Sequence, residues 1–259
     1  MTKKHDIIWL DTTDSTNEEA RRNILSLDNL SVVSAYRQTA GRGQRGNSWS
    51  SVPGENLTFS VVMKYGHESG LVSPLRACDQ FAVSEAAALA VVDLLASHDI
   101  EAKIKWPNDI YVSDRKICGI LIENSVRDGS MASSIIGIGL NVNQTTFDPS
   151  LPNPTSMALS GNTRSQSISL EPLLEEFVYI FKGYCTRYLN ITGGLSRLRR
   201  LYLSQMWRKD ILTEYTDLLE MRTFKGRIKG LTDIGLLIVE DTEKGELKEF
   251  AFKEISYII

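Results

Sequence analysis

The sequence predicts an α+β fold followed by a small β-barrel, and three observations predict it. Short β-patterned runs are interspersed with helix-patterned ones as far as about residue 206. One stretch, Leu75 to Ser97, is a long Ala-rich helix with helix-spaced apolar residues and no internal breaker. After Gln205 the texture changes to short strands divided by Gly or Asp turns, the spacing of a small barrel. A main domain over 1–206 and a barrel over 207–259 follow.

Ile7-Ile8-Trp9-Leu10 reads as a first strand. "DSTNEEARRNILSL" then takes helical period, and both Ser15 with Glu18 and Thr16 with Glu19 fit capping boxes. Strands follow near 30–37 and 57–64, then the long helix. Ala102 to Lys105 is a short strand ending in "WPND". "DIYVSDRKICGILIENSV" forms a hairpin turning at Ser113-Asp114, and "SSIIGIGLNVN" is a further strand. Helices are expected near Leu170–Leu189 and Leu195–Gln205. In the last segment, turns are expected at Gly226, Gly230, Asp233–Gly235 and Lys244-Gly245.

Composition excludes several classes. Hydrophobic content of 42% in 259 residues suits a globular protein with a sizeable core. A net charge of −3 gives no drive toward nucleic acid or an anionic membrane. No apolar run is read as reaching membrane-spanning length, and the N-terminus lacks the apolar core of a signal peptide. Cys78, Cys118 and Cys185 are odd in number and far apart, which suits a reducing cytoplasm and gives neither a disulfide framework nor a zinc site. His5, His67 and His98 are isolated from one another, which argues against histidine metal or triad chemistry.

"QTAGRGQRGNSWSS", Gln38 to Ser51, contains the G-x-G-x-x-G pattern of dinucleotide-binding folds. That pattern must open a helix whose N-terminus holds the pyrophosphate. Here a turn-forming run through Pro53-Gly54 and then a strand follow, so the glycines lie in a loop between strands. Arg42 and Arg45 among Gly41, Gly43 and Gly46 still suit an anion. Gly137 and Gly139 share one face of a strand, where glycine marks the close approach of a backbone, a ring or a helix.

Four segments together, "DSTN", "QTAGRGQRG", "KWPNDIYVSDRKICGILIE" and "IGIGLNVN", closely resemble the biotin protein ligases, in family order. The resemblance implies a mixed sheet with flanking helices, related to class II aminoacyl-tRNA synthetases, and an SH3-like C-terminal barrel. It implies that biotin and ATP, with Mg²⁺, form biotinyl-5′-AMP, which acylates a lysine of a biotin carboxyl carrier protein or domain. By the same resemblance Lys116 contacts the biotin carboxylate and stabilises charge in both acyl steps. Ser15, Thr16, Asn17 and Gln38 line the ureido end, and Gly119, Gly137 and Gly139 leave room for the rings and chain. Gly41, Arg42, Gly43 and Gln44 belong to the loop that folds over the ligand. Arg42, Arg45, Asn108 and Asn141 are on the ATP side, and Trp49 covers the loop or packs below it. Asp109 orients the incoming lysine, assists Mg²⁺, or only accepts a structural hydrogen bond; the metal position stays open, as does a homodimer.

Two departures stand out. Gln44 and Asn47 occupy positions where the family loop commonly carries arginines. The catalytic segments begin almost at Met1, so no DNA-binding helix-turn-helix is expected. The alternatives are a lipoate or octanoate ligase, which would carry a loop resembling "RRxSGGGAVYHD", and a non-enzymatic biotin-responsive regulator.

Overall fold

The computed structural model describes residues 6–66, 74–161 and 167–258, with the Arg45 side chain excepted. His5 and His67 lie outside the described residues. The chain runs β1 (Ile7–Thr13), α1 (Thr16–Arg22), β2 (Val32–Gln38), β3 (Leu57–Lys64), α2 (Phe81–Ser97), β4 (Lys103–Lys105), β5 (Asp109–Val112), β6 (Arg115–Arg127) and β7 (Ser130–Leu140). Then come α3 (Met157–Ser160), α4 (Leu170–Tyr184) and α5 (Gly194–Ser204). The strands make one seven-stranded sheet in the order β1-β2-β3-β7-β6-β5-β4. It is mixed: β1 and β2 are parallel, and the remaining neighbours are antiparallel.

Helix α2 is mostly apolar and mostly buried, which is the pattern of a core helix. It packs against α4 and α5 and against the sheet. Ala77–Ser97 is long and apolar enough, by length and composition, to cross a membrane, with a window hydropathy of 1.4. This corrects the expectation that no run reaches that length; in this fold 67% of that window is buried.

Two local expectations fail near the start. Helix α1 ends at Arg22, and Asn23 to Ser26 form turns. Ser15 is the N-cap residue but makes no side-chain cap bond. Glu18 and Glu19 are drawn instead to Arg21 at 2.9 Å and Arg22 at 2.5 Å. Each glutamate thus meets an arginine three positions on, on the same helix face.

The C-terminal strands are β8 (Thr213–Asp217), β9 (Arg222–Leu231), β10 (Leu237–Asp241), β11 (Glu246–Phe250) and β12 (Ile255–Tyr257). They form an antiparallel sheet in the order β11-β10-β9-β8-β12. The edges β11 and β12 do not pair with each other among the described residues, so the ring of pairings is open. Turns occur at Gly235 and Gly245, both at positive φ. Gly226 and Gly230, expected at turns, lie inside β9. At Gly226 a Cβ would stand 2.7 Å from the Glu240 carbonyl, so that glycine admits a neighbouring strand.

This sheet is tied to the main one at defined points. Trp106 Nε1 donates to the Gly235 carbonyl at 3.0 Å, and Trp207 Nε1 donates to the Ser113 carbonyl at 2.8 Å. Arg199 of α5 pairs with buried Glu85 of α2 and donates to the Thr232 carbonyl.

Candidate active site

Strand register builds the floor of the site. Lys105, Asp109, Gly119, Gly139 and Thr58 lie side by side across β4, β5, β6, β7 and β3. Two residues further along, Leu121, Gly137 and Ser60 form the next row, on the same face by the strand period. Three glycines in adjoining rows flatten this patch, and other groups lie directly on it. A Cβ at Gly137 would stand 2.2 Å from Asn17 Oδ1, and one at Gly139 would stand 2.3 Å from the Trp49 indole. A carboxamide and an aromatic ring therefore explain why this face carries glycine.

One end of the floor is polar and neutral. Ser15, Thr16 and Asn17 are buried where β1 passes into α1. The Thr16 amide donates to Gln38 Oε1 at 2.8 Å. Ser60 Oγ donates to Asn17 Oδ1 at 2.6 Å and stands 2.8 Å from Thr16 Oγ1. Asn17 Nδ2 donates to Glu123 at 2.8 Å, so the carboxamide is held from both sides.

The other end is cationic. Lys116 Nζ stands 2.7 Å from Asp109, with side chains 33% and 17% exposed, and 5.7 Å from the centre of the Trp49 ring. Lys105 also lines the cavity. Burial holds its amine below the ordinary lysine range; Asp109 opposes that shift, while Lys116 and Arg208 add to it.

Between the ends the glycine loop folds back on itself. Gly43 N–H donates to the Asn47 carbonyl at 2.7 Å, and Trp49 N–H donates to Gly41 at 2.9 Å. Only a single 3₁₀ turn, Gln44–Gly46, interrupts it before β3, so the dinucleotide reading fails for want of a helix. Arg42 is paired with Glu18 and, at 3.4 Å, with Glu123. The Arg45 side chain lies outside the described residues.

The cavity measures about 190 Å³ and gathers most of the residues singled out in the sequence. Ser15, Thr16, Asn17, Gln38, Arg42, Gly43, Gln44, Trp49, Asn108, Asp109, Lys116, Gly119, Gly137 and Gly139 all line it. Gly41 supports the wall from behind through its bond to Trp49. Asn141 is not among the lining residues: it is buried and donates to the Thr155 carbonyl at 2.9 Å. Asn108 lines the cavity, yet its amide donates to the Ile120 carbonyl at 2.8 Å, which fixes the β5 approach. A second hollow of about 440 Å³ adjoins it and shares Gln44, Pro107, Asn108, Ile120 and Phe252.

Lys105, Ser60 and Phe252 were missed. Lys105 stands at the head of "KWPND", so its signal was present but unused. Ser60 is a small residue within a strand, and Phe252 reaches the cavity from the turn between β11 and β12; neither carries a local signal.

A family model described as the Biotin/lipoate A/B protein ligase family matches residues 9–141. The chain belongs to this family. It is 30% identical over 242 residues to the Bifunctional ligase/repressor BirA of Bacillus spizizenii, covering 92% of this chain and 70% of that protein. It is likewise 30% identical over 250 residues to Biotin–protein ligase 1, chloroplastic, of Arabidopsis thaliana, covering 93% and 64%. The fold matches the biotin protein ligase from Aquifex aeolicus in complex with biotin and ATP, with a TM-score of 0.75, 22% identity and 97% of each chain covered. Family membership thus rests on sequence, and the mixed sheet with flanking helices is the fold of these ligases.

Proposed function

We propose that this chain is a biotin–protein ligase whose chemistry occurs over the three-glycine floor. The observation that carries this reading is the order of chemical groups along the cavity. A neutral hydrogen-bonding end (Ser15, Thr16, Asn17, Gln38) is followed by a flat glycine centre and then the Lys116 ammonium. Biotin has the same order: a polar ureido head, a ring and chain, and a carboxylate. Gly137 and Gly139 are separated by one strand repeat, about 6.6–6.8 Å, which suits a small bicyclic head lying along the rows.

In the first step a biotin carboxylate oxygen attacks the α-phosphorus of ATP and pyrophosphate leaves. Both reactants are anions, and Lys116 offsets their repulsion. In the second step the neutral amine of a carrier lysine attacks the acyl carbon and AMP leaves. Asp109, paired with Lys116 at 2.7 Å, fixes the ammonium and faces the same space. The Trp49 ring and a biotin ring cannot share the surface of Gly139, so the indole shifts from the floor when biotin binds and closes over it. Arg42 must exchange Glu18 and Glu123 for any phosphate it holds.

Among the described residues no three His, Cys, Asp or Glu side chains converge as a metal site. Asp109 is the carboxylate that lines the cavity, and it is already paired with Lys116. This donor set does not make a protein-built Mg²⁺ cage. Mg²⁺ keeps several waters and is commonly bound through substrate phosphates.

We take residues 1–206 as the ligase unit and 207–259 as an SH3-like module. One feature supports that division: the separate antiparallel sheet formed by the C-terminal strands. The test of function is incubation with ATP, labelled biotin and an apo biotin carboxyl carrier domain. Labelled carrier and one pyrophosphate per transfer are expected. Labelling by lipoate or octanoate in place of biotin would overturn the substrate assignment.

A further inference from the structure

Lys105 is held by rings from two sheets. Its Nζ stands 5.1 Å from the ring centre of Tyr111, on β5, and 4.7 Å from that of Tyr257, on β12. Tyr257 does not line the cavity; it supports Lys105 from behind. Its own position is set by Trp207 and Tyr215, with ring centres at 5.7 and 5.6 Å. Trp207 is anchored in turn by its bond to Ser113 and by the Arg208 guanidinium, 4.0 Å from its ring centre. Among the described residues the buried Tyr257 hydroxyl has no hydrogen-bond partner. The position therefore uses the face of the ring rather than the hydroxyl.

We propose that Tyr257 is a positioning residue for the reaction: with Tyr111 it forms an aromatic box that aims the Lys105 ammonium into the cavity beside Asp109. The last strand of the C-terminal sheet thereby helps present a cation to the triphosphate of ATP. This rests on the reading of the cavity as the adenylation site. The physical case is that lysine is a point charge on a flexible stem, which loses rotamer freedom when it is held in one place. Desolvation alone would favour a neutral amine here, and the box opposes this because a ring face attracts the charged form. Tyr111 and Tyr257 supply that attraction on the side away from the cavity.

The test replaces Tyr257 with phenylalanine and then with mono-, di- and trifluorophenylalanine. Ring size barely changes along the series, while the negative face weakens stepwise. The Tyr257→Phe protein is the reference. Pyrophosphate release gives kcat/KM for ATP, calorimetry gives the affinity for biotin, and thermal unfolding monitors the fold. A stepwise fall in kcat/KM of about tenfold overall is expected from the strength of a partly desolvated cation–π contact. Biotin affinity and unfolding temperature should hold constant across the series. In a Lys105→Met background the dependence on fluorine should vanish. A flat series in an active protein overturns the role of Tyr257 and leaves the ligase reading intact. Absence of ATP-dependent pyrophosphate release in the unsubstituted protein overturns that reading, and this proposal with it.

Discussion

Replacing Lys116 by alanine should separate catalysis from stability. A unit charge about 4 Å from an anion contributes roughly 4 kcal/mol at an effective dielectric near 20. One decade in rate is about 1.4 kcal/mol, so the full interaction is worth about three decades. Asp109, at 2.7 Å, offsets part of the field of Lys116. The expected loss in the rate of adenylate formation is therefore about 10²- to 10³-fold. The truncation also strands Asp109, which is only 17% exposed. Breaking a fully buried pair costs about 3–5 kcal/mol, but solvent reaches both partners here, and about 1–2 kcal/mol is expected.

The double variant Lys116→Ala/Asp109→Asn distinguishes the two effects. Removing the stranded carboxylate should restore most of the stability and none of the rate. Pyrophosphate release at saturating biotin and ATP measures the first, and urea unfolding measures the second. If the single variant keeps a near-normal rate, Lys116 has no part in the chemistry. If rate and stability recover together in the double variant, the loss came from distortion of the floor, and the electrostatic argument fails.

Three further outcomes follow from other contacts. Gly139→Ala puts a Cβ 2.3 Å from the Trp49 indole, which displaces the ring and costs about 1–3 kcal/mol of stability by thermal unfolding, and the methyl stands on the surface that a biotin ring would use, so at least about tenfold in biotin affinity should be lost by calorimetry. Trp106→Phe leaves the Gly235 carbonyl without its 3.0 Å donor and should cost about 1–3 kcal/mol, seen as a lower urea midpoint at unchanged slope. Burial raises the buried Glu85 carboxyl from 4.5 to about 7 against the pull of Arg199. Its folded value lies above its unfolded one, so its contribution is full below about pH 4.5 and is lost as pH rises through about 7. Relative to Glu85→Gln the protein should lose stability as pH rises from about 4.5 through about 7, and parallel stability curves for the two would refute the assignment.

The sequence was most legible where one physical rule dominated. The β5–β6 hairpin was readable because Ser113-Asp114 interrupts two β-patterned runs, and Ser113 does take a positive φ. The loop reading of Gly41–Gly46 held because no helix pattern follows it. It failed where two rules competed. The glutamates at 18 and 19 could serve caps or arginines, and pairing across space decided the outcome. Gly226 and Gly230 look like turn residues, but the close approach of a neighbouring strand explains Gly226 better. Asn141 was expected on the ATP side from its motif; what the fold shows of it is an amide on the Thr155 carbonyl, a contact that no sequence pattern announces. Lys105, Tyr111 and Tyr257 could not have been joined from sequence, since the box closes across 152 positions and two sheets.

The glycine loop raises a final physical question: how a G-x-G-x-x-G segment can serve an anion without a helix behind it. In a dinucleotide fold the helix N-terminus supplies about half a positive charge at the pyrophosphate. Here the loop ends in a 3₁₀ turn and then a strand, so no macrodipole is available. The positive charge must come from side chains, and Arg42, Lys105 and Lys116 all line the cavity of a chain whose net charge is −3. Three cations so close together would repel one another. Each has its own counter-group: Asp109 for Lys116, Glu18 and Glu123 for Arg42, and two tyrosine rings for Lys105. These partners differ in how readily they release a charge. A carboxylate competes directly with a phosphate, whereas an aromatic face does not occupy the ammonium's hydrogen-bond donors. Lys105 can therefore meet a phosphate without giving up its partners, while Arg42 must exchange two carboxylates to do so. Loop closure through Arg42 should consequently respond to Glu18 and Glu123, and the cation at Lys105 should remain fixed while the loop moves.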